Sequence, residues 1–249
     1  MTTPTHTPGR GERIGKRLRW IWVNFWLARS GWGFFGRIAA RLAACGYPPY
    51  KGRLALARIQ PKGYIAATAE ISHTRLTLGK NVFIGDGVII HQHEEGGPVE
   101  LGDRVILFDE IIVETMEGGG LRIGADTAIQ PRCHFTTAVA PIRIGNGVQI
   151  APQCAFYSYD HGIVPGELIR NQPLQSKGPI IIEDDAWLGF GVIVLAGVRI
   201  GKGAVIGAGS VVTHDVPDGA VAVGAPAVVV RMRSVPGEVE QARLLGAKR

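Results

Sequence analysis

The chain has 249 residues, with 27 Lys and Arg against 21 Asp and Glu for a formal net charge of +6. It has no uncharged apolar run near the ~18 residues that a membrane-spanning helix requires. Three cysteines without a paired spacing exclude a disulfide framework and a Cys-based metal site. Glycine, at 35 residues, is about twice its ordinary ~7% share, a bias that repeated tight corners explain without disorder.

The basic excess belongs to the N-terminus. Residues 1–62 carry 12 Lys and Arg against Glu12 alone, whereas residues 63–249 carry 15 against 20 acids. Within this segment WIWVNFWLARSGWGFFGRIAARLAACG (20–46) holds four of the five Trp residues. Residues 13–45 therefore read as one or two amphipathic helices. Their apolar side either packs on the coil described below or on a neighbouring subunit, or makes peripheral contact with an anionic membrane surface. Trp and Phe clustered with aliphatics favour a lipid or protein surface over nucleic acid. GWGFFG (31–36) matches a dinucleotide-loop spacing, but no strand precedes it. LAAC (42–45) lacks the unbroken apolar run of a lipoprotein signal, because Arg37 and Arg41 interrupt it. Pro48, Pro49 and Pro61 then mark a linker, so that residues 1–63 form a basic, Trp-rich helical segment.

From Tyr64 the pattern changes to a period of six. In 180–213 the apolar residues Ile182, Leu188, Val194, Ile200, Ile206 and Val212 recur at that interval. A second apolar or small residue stands two positions before each, and Gly or Asp stands three after. A helix needs its apolar face to return at 3.6, whereas same-face positions two apart describe a short strand. Gly and Asp tolerate the corners between such strands. The register continues upstream in triplets: Leu78, Ile84, Ile90; Leu101, Leu107, Val113; Ile123, Ile129, Phe135; Ile144, Ile150, Phe156. Three hexads make one coil with three flat sides, and stacked coils make an all-β solenoid. The chain between triplets leaves as loops, of which 157–179 is the longest. Residues 64–231 thus form one repeat domain, roughly seven coils and about 30 Å tall at ~4.8 Å per coil. Residues 232–249 read as a tail or short helix.

Four segments, SYDHGI (158–163), DDAWLG (184–189), IGAGSVVT (206–213) and AVGAPAVVVR (222–231), resemble the hexapeptide-repeat acyltransferases, closest to sugar and surface-polysaccharide O-acetyltransferases. The resemblance covers about 64–231. It implies a left-handed parallel β-helix, a homotrimer with sites between protomers, acetyl-CoA as co-substrate, and a sugar or glycan precursor as acceptor. It also implies a cytoplasmic enzyme, one that would sit at the inner membrane face if residues 13–45 bind lipid. Acetyl transfer from a thioester to a hydroxyl needs a base for the alcohol proton and donors for the oxyanion. His161 matches the family's catalytic histidine, with Asp160 either orienting it or serving the turn. Gln130 falls where the family binds the acceptor. Trp187, Gly189, Ala208, Thr213 and Arg231 match positions that meet coenzyme A, although each also has an ordinary role as side-wall packing, a corner, a cap or a terminal charge. Phe190 and Val228 depart from the family's small polar and basic residues.

His91, His93 and His134 are the remaining metal-ligand candidates in this region. His91 and His93 lie in HQHEEGG, which reads as a solvated corner, and no metal is expected. Cys133 and Cys154, each two before an anchor, read as small buried residues. Two other functions stay open: acyl transfer to a small non-sugar acceptor, and a non-catalytic scaffold that assembles other proteins.

Overall fold

The computed structural model describes residues 10–234; the tail from 235 lies outside the described residues. Helix α1 (Arg10–Leu27) runs antiparallel to α2 (Phe34–Ala44), and a 3-10 turn at Tyr50–Arg53 leads into the single-turn α3 (Leu54–Ala57). From Tyr64 the chain winds as a left-handed β-helix whose strands build three walls. The first wall has nine strands, the second seven and the third six, all parallel except at the C-terminal edge.

The six-residue period is physically a column. Ile84, Leu107, Ile129, Ile150, Leu188 and Ile206 pair in register up the first wall, and Leu101, Ile123, Ile144, Ile182 and Ile200 up the third. In the second wall the column is Ile71, Ile90, Val113, Phe135, Phe156, Val194 and Val212. Every anchor from Ile84 to Val212 is buried, and the rings of Phe135 and Phe156 stack 4.6 Å apart with parallel planes. Leu78 is only half-buried because its strand is the open edge of the third wall. The chain between successive second-wall anchors ranges from the 18 residues of one full coil to 38, yet the column stays in register. The extra residues all leave at the corner between the second and third walls. There the loops stack closely enough that a side chain on Gly119 would meet the carbonyl oxygen of Thr137 at 2.3 Å.

Corners at Gly191, Gly203 and Gly209 take the left-handed conformation, as the Gly/Asp spacing predicts. Arg104, Glu110, Arg132 and Gln153 take it as well, with φ near 60°. A left-handed L-residue costs roughly 1–2 kcal/mol. These corners carry cross-coil ties: the Arg104 guanidinium donates to both oxygens of Asp126 at 2.6 Å, and Arg132 to Glu110 at 2.5 Å.

The N-terminal helices dock on the outer side of the first wall at its N-terminal edge. Val23, Leu27, Ala40, Ala43 and Leu56 pack with Tyr64, Phe83 and Phe108 in a second apolar core, separate from the coil interior. Burial of that size contributes about 1.5–3 kcal/mol per large side chain, and desolvation pushes the Tyr64 phenol up to about 12. Polar ties fix the same contact: Gln60 donates to the Asn24 carbonyl at 2.9 Å, Asn81 to those of Ala57 and Gln60 at 2.9 Å, and Arg37 to that of Ala67 at 2.7 Å. Packing on the coil uses one side only. Leu18, Ile21, Trp22 and Phe25 of α1, and Phe34, Phe35 and Ile38 of α2, remain exposed.

At the other end the repeat gives way to an antiparallel hairpin. Ala220–Gly224 continues the first wall and Ala227–Met232 turns back along it, so the final strand of the 64–231 domain runs one residue past Arg231.

Candidate functional site

His161 sits on the longest excursion, and that loop has internal structure. Asp160–His161 pairs antiparallel with Leu174–Gln175. The buried Gln172 side chain ties the far end together, accepting from the Val164 amide at 2.8 Å and donating to the carbonyls of Val164 and Glu167 at 3.0 Å. At its root the fully buried Ser158 hydroxyl donates to the Ala140 carbonyl at 2.6 Å, and Ser176 donates to the Ser158 carbonyl at 2.6 Å. An imidazole presented by a braced hairpin is exposed yet fixed in direction. Asp160 points to the opposite side of its two-residue strand, because strand side chains alternate. Among the described residues no hydrogen bond joins it to His161.

Below His161 a line of polar rings descends the outer face of the second wall. Tyr159 lies 6.0 Å from His161, Tyr157 lies 6.4 Å from Tyr159, and His134 lies 5.8 Å from Tyr157. His134 Nε2 reaches Glu114 at 3.4 Å, His93 reaches the other oxygen at 3.8 Å, and His91 packs edge-on against His93 at 4.7 Å. The sequence reading of a solvated corner holds for His93, exposed beyond the strand's end, and is corrected for His91. His91 lies within the strand Ile89–Gln92 and is half-buried on the wall. Glu114, Tyr157 and Tyr159 were not singled out from sequence, although Glu114 and Tyr157 each follow a buried anchor and so must face outward. Burial raises the Tyr159 phenol pKa, with Tyr157 and Glu114 adding to the effect. No group of three metal-ligating side chains forms among the described residues.

The other candidates, Thr213 apart, lie away from the edge that carries His161. Trp187 projects from the first wall, 54% exposed, in one register row with Val205, Val221 and Arg231. Gly189 is buried at the corner between first and second walls, where a side chain would meet the Ala208 amide nitrogen at 2.7 Å. Only glycine allows these two coils to approach so closely. Gln130 lies at the same corner three coils before Ala208, and the Tyr50 hydroxyl approaches its Oε1 at 3.3 Å. Thr213 follows the last second-wall strand, Val211–Val212, its hydroxyl 2.9 Å from His214 Nδ1. Thus Gln130, Gly189 and Ala208 line one edge of the second wall, while His161 and Thr213 line the other. One chain does not bring the two sets together.

A rigid three-sided coil, a braced loop bearing an exposed histidine, and small residues at close corners define a hexapeptide-repeat transferase. Family models match accordingly: "Bacterial transferase hexapeptide (six repeats)" over residues 179–214 and "Hexapeptide repeat of succinyl-transferase" over 75–107. The Schizosaccharomyces pombe protein named "Putative acetyltransferase C18B11.09c" is 38% identical over 152 residues, which is 55% of this chain and 72% of that one. The galactoside O-acetyltransferase of Lactococcus lactis is 41% identical over 114 residues, 45% of this chain and 54% of that enzyme. The chain spans about half the length of some of its relatives; "Probable acetyltransferase Rv3034c" of Mycobacterium tuberculosis, 37% identical over 65% of this chain, is matched over 53% of its own length. Among solved structures, the polySia-specific acetyltransferase NeuO shares the fold at a TM-score of 0.53 and 21% identity, over 71% of this chain and 92% of that one. The chain belongs to the hexapeptide-repeat acyltransferase family, whose members transfer acyl groups.

Proposed function

We propose that the protein transfers acetyl from acetyl-CoA to a hydroxyl of a sugar or glycan precursor, with His161 as general base. The observation that carries this reading is His161 itself, exposed on a hairpin braced by Gln172 and Ser158. In the step, the imidazole takes the hydroxyl proton while the oxygen attacks the thioester carbonyl. The C–S bond then breaks and the proton passes to the departing coenzyme A thiolate. A sugar acceptor rests on the likeness to the galactoside enzyme. The close corner of Gly189 and Ala208, with Trp187 beside it, is assigned to the pantetheine arm, and Arg231 to the phosphates. Because those residues and His161 lie at opposite edges of the second wall, a site using both draws them from two copies. A homotrimer supplies such pairs at each interface.

Thiol release is the test, using acetyl-CoA with a panel of free and lipid-linked sugars. His161→Ala should lower turnover at least ~10²-fold, the usual share of a general base, while the oligomer persists. A near-wild-type rate would remove His161 from the reaction. Absence of thiol release with every acceptor would leave the scaffold reading instead.

A further inference from the structure

The outer faces of α1 and α2 form the largest aromatic surface among the described residues, and catalysis does not use it. Phe35 is 82% exposed and Phe34 74%, with Leu18, Ile21, Trp22, Phe25, Trp32 and Ile38 each about half exposed or more. On α1 Leu18, Ile21, Trp22 and Phe25 recur at intervals that place them on one helix face opposite the buried Val23 and Leu27, while Trp20, 62% exposed, lies outside that face. Both helices are therefore apolar on two sides. The inner side is satisfied by Tyr64, Phe83 and Phe108. The outer side is continuous across the pair, because the Trp22 indole donates to the Leu42 carbonyl at 2.8 Å and draws the two helices together. A patch of this extent on a folded surface marks an interaction site.

Charge says what covers it. Between Arg13 and Ala69 the chain has no Asp or Glu, and ten Lys and Arg lie from Lys16 to Lys62. Two of them stack on aromatic rings, the Arg29 guanidinium 3.7 Å from the Phe25 ring and that of Arg19 4.4 Å from the Tyr47 ring. Trp32, Phe34 and Ile38 share a cleft of about 370 Å³ with Arg37 and Arg41, which joins apolar walls to paired cations. Among the described residues no helix is long and apolar enough to cross a membrane. A protein partner or a second copy would have to present a surface both apolar and strongly acidic. An anionic bilayer offers both at once, acyl chains for the rings and phosphates for the arginines.

We propose that the outer face of α1 and α2 docks the enzyme on an anionic membrane surface, with Trp32, Phe34, Phe35 and Ile38 in the interface and the exposed Arg41 at the headgroups. This seats the enzyme on a membrane surface, and it stands whatever the acceptor proves to be. The docked inner side keeps the coil at a fixed orientation to the bilayer.

The experiment is co-sedimentation of the full chain with vesicles of phosphatidylcholine alone or mixed with phosphatidylglycerol. Binding to the mixed vesicles should be at least ~10-fold stronger and should fall at high salt, where charges are screened. Phe35→Glu and Arg41→Glu, both at exposed positions, should each abolish most of it without changing the size of the protein in solution. No binding, or equal binding to both vesicle types without salt dependence, overturns the proposal. So does a change of oligomeric state in Phe35→Glu, since that result would make the face an interface between copies.

Discussion

The coil and the helical segment both bury large apolar side chains, but they do so under different constraints. In the coil each buried position recurs at six and sits above its counterpart in the next turn, so Phe135 has neighbours above, below and across. In α1 and α2 the buried and exposed sides are almost equally apolar, and only docking distinguishes Leu27, fully buried, from Leu18, 62% exposed. Periodicity specifies a site in the first region; contact with another surface specifies it in the second.

Truncation should separate the two regimes. Phe135→Ala removes one of two stacked rings from a column with no solvent access and should cost about 3–5 kcal/mol, read as a lowered unfolding midpoint for the whole coil. A loss below ~1 kcal/mol would show that the column relaxes around the cavity. Leu27→Ala should cost about 2–3 kcal/mol, near the lower end for a buried leucine. Its effect should be local, raising amide exchange and protease sensitivity in residues 15–62 while the coil unfolds at its usual midpoint. Simultaneous loosening of coil and helices would mean that they form one cooperative unit.

This contrast also explains what the sequence made legible. The anchors could be read because a side chain enclosed on every side must be apolar, and a six-residue repeat exposes that demand directly. The corners were read only in part. Gly191 and Gly203 follow the pattern, whereas Arg104, Glu110 and Arg132 adopt the same left-handed conformation and pair with a neighbouring coil's corner. For the site, His161 was accessible through its motif and its loop. The meeting of His93, Glu114 and His134 was not, because outward positions obey no periodic rule. Which outward residues adjoin depends on loop lengths, here 22 residues from Val113 to Phe135 and 21 from Phe135 to Phe156. The two-sided character of α1 was visible as aromatic richness, but which side packs is decided by the Tyr64, Phe83 and Phe108 surface it meets.

The smallest expected effect concerns the open N-terminal end of the coil, where repeat regularity gives least support. His73 Nδ1 accepts from the Arg75 amide at 3.1 Å, so Nε2 carries the proton and meets the Thr115 hydroxyl at 3.1 Å. Burial lowers the His73 pKa from its ordinary value of 6.5, opposed by a backbone hydrogen bond to Gly97 and reinforced by electrostatic contributions from Arg75 and His91. The folded state thus prefers the neutral ring. That contribution to stability is complete above the unfolded value near 6.5 and is lost as pH falls through the lower folded value. Below it, Nδ1 is protonated and no longer accepts from Arg75. Acidification from pH 7 to ~5 should therefore speed amide exchange at residues 73–76 more than at the corresponding turns of later coils. His73→Gln, which keeps an acceptor and a donor but does not titrate in this range, should abolish the pH dependence at those amides. Unchanged pH dependence in His73→Gln would place the sensitive group elsewhere at that end.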